Sequence, residues 1–327
     1  MGRAFMRFSA PQILSIARPD GFDAGMIEKV LHLVHLLNNL NSHPSLRGKW
    51  ALKGGTALNL FVLRHPRLSI DIDLNYIGAL EREEMPADRP KIERAIQAVF
   101  SREGFSVRRV PEEHAGGKWR LHYSSFTGQT ANLDMDLNFM YRCPLWPIHH
   151  ADSHPLGDFQ AKSIPVLNLH ELVAGKLSAL FSRRQARDLF DCHHILAKDI
   201  LDRDRLRIAF VIYGGMNRKD WRTISLDDVA YDGTELVRQL GPTLRSPQLR
   251  RQEALTFGNA LVDECRQALS IVLPFTNSER SFLDLLLEQG EINASILTSD
   301  PALQERIRVQ PLLVWKAFHV RHHRGLS

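Results

Sequence analysis

Cysteine is scarce in this chain of 327 residues and follows no metal-binding or disulfide pattern. The three cysteines, Cys143, Cys192 and Cys265, are odd in number, far apart and never spaced as Cys-x-x-Cys. A disulfide framework and a cysteine-based zinc site are therefore excluded as the basis of the fold. We expect a protein of a reducing compartment, the cytoplasm.

Long apolar runs, internal repeats and low-complexity tracts are also missing. No stretch approaches the roughly 18 uncharged apolar residues that a membrane-spanning helix needs. The first twenty residues contain arginines and two prolines where a signal peptide requires an unbroken apolar segment. The sequence therefore predicts no association with membranes and a mature chain that starts at Met1.

The composition is that of an ordinary globular protein, with 44% hydrophobic and 24% charged residues. Lys and Arg number 42 against 37 Asp and Glu, which gives a formal charge of +5 and a pI near 9.2. This mild basic excess is compatible with a polyanionic partner but does not require one. The length corresponds to about two domains.

Hydrophobic periodicity divides the chain into a mixed part and a helical part. The segments read as helix (27–37, 57–63, 92–100), strand (50–53, 69–77, 105–107, 119–123, 133–139) and loop (81–91). Residues 143–165 contain four prolines and no sustained period, which indicates a linker, and a helical pattern follows nearly to the end. The sequence predicts an α+β protein whose first domain (1–155) contains the strands and whose second domain (156–327) is helical.

Two carboxylates lie on one predicted strand, SIDIDLNYI at 69–77. Asp71 and Asp73 leave the same face of that strand as Asn75, because side chains alternate along a strand. Like charges this close destabilise a fold unless a cation lies between them, and a divalent metal is a common guest. The alternative is a solvated polar face, which is the usual meaning of an isolated Asp-x-Asp.

A glycine turn precedes that strand. Gly54, Gly55 and Thr56 follow a short apolar strand and open a helix, where backbone N–H groups and the helix dipole favour a phosphate. No Gly-Lys-Ser/Thr follows, so this is not a Walker motif. A plain tight turn is the alternative. Together with the Asp-x-Asp strand, the turn is typical of the palm of a nucleotidyltransferase.

Such a palm needs a third acid on an adjacent strand. Residues 132–139, NLDMDLNF, place Asp134, Asp136 and Asn138 on one face of an alternating strand, and we select Asp136. Two metal ions about 3.5–4 Å apart would be held by three such acids around the reacting phosphate. The third acid could also deprotonate the acceptor hydroxyl. The predicted ligands of Mg²⁺ or Mn²⁺ are therefore Asp71, Asp73 and Asp136.

A lysine interrupts the apolar face of the helix predicted at 169–180. Lys176 occupies an apolar position of the stripe, where it either extends to the surface or reaches a triphosphate. Asp191 lies about 22 Å further along one uninterrupted helix. A sharp return at Ser182–Gln185 could bring Asp191 and Lys176 together, and Arg183 in that break is a further candidate contact for the NTP.

Ion pairs on the surface of the helix are the competing interpretation of the acids in this region. Asp188 with Arg184, and Asp191 with Arg187, have the i,i+4 spacing of such pairs. For Asp188 we favour the surface pair, whereas for Asp191 the two interpretations stay open.

Four blocks of sequence resemble the AbiEii/AbiGii toxin family, which includes the MenT toxins. They are KGGTALNL (53–60), RLSIDIDLN (67–75), the helix pair in 171–196, and the tail from LPFTNSERSFLDLLLEQG to LLVWKAF. The resemblance implies a fold similar to that of polymerase β, with a mixed sheet in its first domain. It carries the glycine motif to Gly55 and Thr56, the metal pair to Asp71 and Asp73, and the late lysine and aspartate to Lys176 and Asp191.

The same resemblance implies a toxin of a type IV toxin–antitoxin or abortive-infection pair. Members transfer nucleotides from an NTP to tRNA acceptor ends and so block translation, and an AbiEi-type antitoxin is encoded beside them. Two alternatives remain from the residues alone. One is nucleotidylation of a protein hydroxyl at the same site, and the other is a non-catalytic nucleic-acid or antitoxin-binding protein on a retained fold.

Overall fold

The computed structural model describes residues 7–79, 84–109, 116–245 and 251–325. The chain divides into two compact units. The first consists of Met1–Arg142, Ile148–Val166 and Arg238–Leu249, and the second of Cys143–Pro147, Leu167–Val237 and Arg250–Ser327.

A seven-stranded sheet forms the centre of the first unit. Its strands are β1 (Trp50–Lys53), β2 (Asp71–Tyr76), β3 (Ser106–Arg109), β4 (Gly116–Ser124), β5 (Thr130–Asn138), β6 (His149–Ala151) and β7 (Ile164–Val166). Their spatial order is β3-β4-β5-β2-β1-β7-β6. β2 runs parallel to β5 and β1 parallel to β7, whereas the other pairs are antiparallel. The mixed sheet confirms the predicted α+β fold.

The first unit also contains α1 (Ala10–Asp20), α2 (Ala24–Ser42), a helix that begins as α3 (Gly54–Thr56) and continues as a π-helix (Ala57–Val62), and α4 (Met85–Arg102). One face of the central strands forms the core. Ile72, Leu74 and Leu121 are fully buried there, and Phe100 of α4 meets Trp119 of β4 edge to face at 6.0 Å. The alternation of the strands therefore presents their polar residues on the opposite face.

The loop predicted at 81–91 is wrong from residue 85 onward, because α4 begins at Met85; residues 80–83 lie outside the described ranges. Pro86 stands in the first turn, where no N–H is needed for the helical ladder. Asp88, one turn in, accepts hydrogen bonds from Lys49 Nζ at 3.0 Å and from Tyr76 Oη at 2.5 Å. These tertiary contacts stabilise the start of the helix, whereas the prolines and charges of this segment are typical of a loop.

The stretch 143–165, predicted as a linker, is more than a connection. It contributes β6 and leads into β7, whose three residues are all buried and pair with β1 through Leu52 and Val166. Strands of three residues are too short to show an alternating period, and Pro165 further obscures the pattern.

The regular elements described in the second unit are all helical, as predicted. They are α5 (Leu169–Ser182), α6 (Ala186–Leu196), α7 (Arg203–Gly215), α8 (Gly233–Glu235), α9 (Arg251–Ala268), α10 (Asn277–Asp284), α11 (Pro301–Arg308) and α12 (Pro311–Arg324), with short 3₁₀ and π segments between them. Across the described residues we find no helix with the length and apolarity needed to cross a membrane.

A buried glutamate holds the isolated segment Cys143–Pro147 to the second unit. Glu171 of α5 accepts hydrogen bonds from the backbone N–H groups of Leu145 at 2.9 Å and Trp146 at 3.2 Å. Burial raises the pKa of Glu171 to about 7, while these hydrogen bonds act in the opposite direction. Gln310 donates to the Cys143 carbonyl and completes the attachment.

Candidate active site

The predicted carboxylate strand is β2, and its two acids share one face of the sheet. Asp71 and Asp73 are half-buried, whereas Ile72 and Leu74 between and after them are fully buried in the core. β5 lies directly beside β2, so the expected neighbouring acids are in place. Asp73 pairs in register with Asp136.

Asp73 and Asp136 belong to a row of charges that crosses four strands. Lys53 of β1 pairs with Asp73, which pairs with Asp136, which pairs with Lys118 of β4. Residues paired across strands point to the same side, with backbones about 4.8 Å apart. Two carboxylates are thus flanked by one ammonium group at each end of the row.

A second row runs parallel to the first and begins with Asp71. Asp71 pairs with Asp134, Asp134 with Arg120, and Arg120 with Arg108 of β3. Arg120 grips Asp134 with two hydrogen bonds, Nε to Oδ1 at 2.8 Å and Nη2 to Oδ2 at 3.0 Å. The hydrogen bond to Asp134 also raises the pKa of Arg120. Both oxygens of Asp134 are thus engaged by Arg120.

The glycine turn requires its first glycine. Gly54 has φ of +73°, which side chains rarely adopt, and an added Cβ would lie 2.4 Å from Asp73 Oδ2. The turn therefore brings its backbone directly against one of the two carboxylates. Gly55 is buried, and its carbonyl accepts a hydrogen bond from Asn59 Nδ2 at 2.9 Å.

Thr56 acts on the neighbouring backbone. Its side chain is fully buried, and its hydroxyl lies 2.5 Å from the Asp71 carbonyl oxygen and 3.0 Å from Ser69 Oγ. The hydroxyl thereby ties the start of the helix to the first residue of β2. The group that this turn can offer to a phosphate is consequently the main-chain N–H.

The donor set at β2 fits a divalent cation with oxygen ligands. Carboxylates are the ligands that Mg²⁺ prefers, and Mg²⁺ is commonly bound through one or two of them together with substrate phosphates. Gly54 leaves room beside Asp73 that any side chain would fill. Within the described ranges no group of three or more His, Cys, Asp or Glu side chains converges as a complete metal site.

Lys176 and Asp191 meet in the second unit. α5 ends at Ser182 and α6 begins at Ala186, so the chain reverses where the sequence predicts a break. Lys176 Nζ lies 3.0 Å from Asp191 Oδ2, and their side chains are 9% and 0% exposed. A lysine extended into solvent and a surface pair for Asp191 are both excluded by this burial.

Asp188 corrects the sequence interpretation. Instead of pairing with Arg184 at the surface, it is buried 3.0 Å from Lys176 Nζ and accepts from Arg183 Nε at 2.7 Å. Burial opposes its ionisation, but the charge of Lys176 and the hydrogen bond from Arg183 hold the pKa of Asp188 below its ordinary value. Asp188 and Asp191 are three residues apart on α6, and that spacing was the available signal that both face Lys176.

Comparisons with known proteins find one matching family profile and similar solved structures. The family profile described as "Nucleotidyl transferase AbiEii toxin, Type IV TA system" matches residues 35–268. Among solved structures, the chain is similar to MenT4, a nucleotidyltransferase toxin from Mycobacterium tuberculosis H37Rv, with a TM-score of 0.58 and 16% identity over 91% of this chain and 98% of that one. At this low identity, the likeness shows a similar fold and nothing more.

A second similar structure is JHP933 from Helicobacter pylori, with a TM-score of 0.46 and 15% identity over 76% of this chain and 95% of that one. No curated protein sequence matches the chain.

The contact between Gly54 and Asp73 can be tested against a matched glycine. Gly48 has φ of +68° and no atom within 4 Å of an added Cβ, so Gly48→Ala carries only the backbone strain, about 1–2 kcal/mol. Gly54→Ala adds a clash with Asp73, and we expect it to lower the free energy of unfolding in urea by clearly more. Equal losses for the two variants would show that Asp73 moves away without cost.

The buried cluster around Lys176 predicts a second difference. Lys176→Met leaves Asp188 and Asp191 buried without their shared cation, and we expect a loss of about 3–5 kcal/mol in urea unfolding at neutral pH. The control is Arg183→Gln, whose side chain is 55% exposed and whose removal leaves Lys176 beside both carboxylates, so that it should cost clearly less than Lys176→Met.

The same cluster predicts the direction of a pH effect. Because the pKa of Asp188 is lowered in the folded protein, its stabilising share is present above its ordinary pKa and is lost as the pH falls through the folded value. The loss of stability in Lys176→Met should therefore shrink in acid, and a pH-independent loss would contradict this origin.

Proposed function

We propose that this chain, which belongs to the AbiEii family of nucleotidyltransferase toxins of type IV toxin–antitoxin systems, transfers nucleotides from an NTP to RNA. The tRNA acceptor end is the first candidate, and the consequence is a block of translation. The family implies an NTP substrate and an antitoxin partner. We further propose that this partner is of the AbiEi type and that the toxin acts in the cytoplasm.

The observation that carries the proposal is the placement of Asp71, Asp73 and Asp136 on paired strands beside the glycine turn. In the proposed reaction, a hydroxyl oxygen of the acceptor forms a bond to the α-phosphorus of the NTP. The bond from that phosphorus to the bridging oxygen of the β-phosphate breaks, and pyrophosphate leaves with the electron pair. The hydroxyl proton passes to a carboxylate or to water.

Each residue of the first unit has a distinct part in this proposal. Asp71, Asp73 and Asp136 would hold Mg²⁺ or Mn²⁺, which when bound stabilises the charge of the reacting phosphates. Gly54 and Gly55 bring the main chain close to the phosphates, and Thr56 positions β2 through its contact with the Asp71 carbonyl. Asp136 is the candidate base, because it pairs in register with Asp73.

For the helical domain we propose contacts to the NTP. Lys176 and Arg183 are the proposed contacts, and Asp191 orients the Lys176 ammonium through their ion pair at 3.0 Å. Asp188 has the same orienting part, because it contacts both cations.

Removal of one carboxylate tests the reaction. Purified protein is incubated with total tRNA, Mg²⁺ and each α-³²P-labelled NTP in turn, beside Asp71→Asn. We expect label in tRNA with the wild type and none with the variant, because the variant lacks a proposed metal ligand. Asp71→Asn keeps the size of the side chain, and its thermal unfolding is measured beside the assay to show that the variant is folded.

Two other outcomes would contradict the proposal. Label that enters protein instead of tRNA would move the acceptor to a protein hydroxyl. Full activity of Asp71→Asn would remove the carboxylate site from the mechanism.

The choice between the two acids of β5 gives a further prediction. Asp136→Asn should lower the rate of transfer about 100-fold or more, as expected when a base and ligand is lost. Asp134→Asn keeps an oxygen for Arg120 and should retain most activity. The reverse order of the two rates would assign the third acid to Asp134.

A further inference from the structure

The polar face of the sheet carries a group of basic side chains that the carboxylate site does not use. Arg108 lies on β3, and Lys118, Arg120 and His122 alternate along β4. We call these four residues the basic strip. Arg108, Lys118 and Arg120 are exposed, and the register pairs Arg108 with Arg120.

The basic strip and the carboxylates lie on the same side of the sheet. Lys118 pairs with Asp136, and Arg120 pairs with Asp134, so each base continues a row that begins with an acid of β2. With about 4.8 Å between neighbouring strands, the backbone of Lys118 lies about 10 Å from that of Asp73. At this distance the basic strip lies next to the carboxylates but is separate from the proposed metal ligands.

The order of the strands separates three kinds of group along this face. The basic strip occupies β3 and β4, the carboxylates occupy β5 and β2, and the glycine turn follows β1. The carboxylates therefore lie between the glycine turn and the basic strip.

Nucleotidyl transfer needs such a separation. The attacking and leaving oxygens lie roughly in line on opposite sides of the phosphorus. If pyrophosphate leaves on the side of the glycine turn, the attacking hydroxyl arrives from the side of β5 and β4. The chain that carries this hydroxyl then extends over the basic strip.

We propose that the basic strip binds the phosphodiester backbone of the RNA acceptor next to its reactive hydroxyl. This inference rests on the proposed function and adds the path of the acceptor to it. Arginine and lysine neutralise backbone phosphates independently of base sequence. The basic strip therefore supplies affinity and position, while the choice of RNA depends on other residues.

Arg120 can serve two partners at once. Its fork to Asp134 uses Nε and Nη2, and a guanidinium group has further N–H donors on Nη1. Asp134 fixes the plane of the group and offsets its charge. Lys118 and Arg108 consequently carry most of the net attraction for a polyanion.

The test measures RNA binding separately from catalysis. A fluorescent single-stranded oligoribonucleotide is titrated with full-length protein in EDTA and without NTP, at several salt concentrations. The strip variant is Lys118→Gln/Arg108→Gln. The control is Lys91→Gln/Arg94→Gln, which removes the same two charges from exposed positions of α4, the helix that packs on the other face of the sheet.

We expect the strip variant to bind the RNA about tenfold more weakly. The slope of log K against log salt concentration should become shallower by about 0.7 per lost charge. The control should bind like the wild type, and the KM for NTP should not change in either variant. Both variants should keep the unfolding temperature of the wild type, because the substituted side chains are exposed.

Three results would overturn the inference. Equal losses in both variants would indicate an effect of net charge alone. A raised KM for NTP with unchanged RNA binding would assign the basic strip to the triphosphate. Wild-type binding by the strip variant would exclude the basic strip from any contact with RNA.

Absence of transfer by a wild type that binds RNA through the strip would refute the proposed function alone, and leave the inferred binding surface intact.

Discussion

Repulsion between carboxylates is the constraint on which the first unit depends. Asp71 and Asp73 on β2 and their partners Asp134 and Asp136 on β5 occupy paired positions about 4.8 Å apart between backbones. Like charges at that distance destabilise a sheet. Basic neighbours offset this repulsion in two ways. Arg120 binds Asp134 through a pair of hydrogen bonds, whereas the row of Asp73 has a lysine at each end. These carboxylates lie where a cation and phosphates are proposed to bind.

The helical unit meets the opposite difficulty, which is a cation in a core position. An isolated buried ammonium would lose its charge or unfold its surroundings. Lys176 keeps its charge because α6 returns two carboxylates to it, Asp188 and Asp191, each 3.0 Å away. Arg183 at the turn pairs with Asp188 at 2.7 Å. The formal charges of these four side chains sum to zero, which offsets the cost of burying charge between two apolar helices.

The sequence predicts those parts of the fold whose signal is local. Strict alternation reveals β2 and β5. A lysine in an apolar stripe with a break after it makes the meeting of Lys176 and Asp191 one of two open interpretations. The sequence does not reveal β7, since three buried residues with a proline have no period. It also misplaces Asp188, because a charge at i,i+4 from an arginine looks like a surface pair until the direction of the facing helix is known.

The register of a sheet contains information that no single strand provides. Alternation predicts that Lys118 and Arg120 lie on the same face of β4. It does not predict that their neighbours on the next strand are Asp136 and Asp134. Once β4 is paired with β5, and β5 with β2, the signs of the charges change from basic to acidic across the sheet. A polyanion lying across such a face is attracted at one end and is repelled at the other unless a cation is present. The binding of an acceptor end near the carboxylates is therefore expected to depend on the metal, whereas the binding of the rest of its backbone is not.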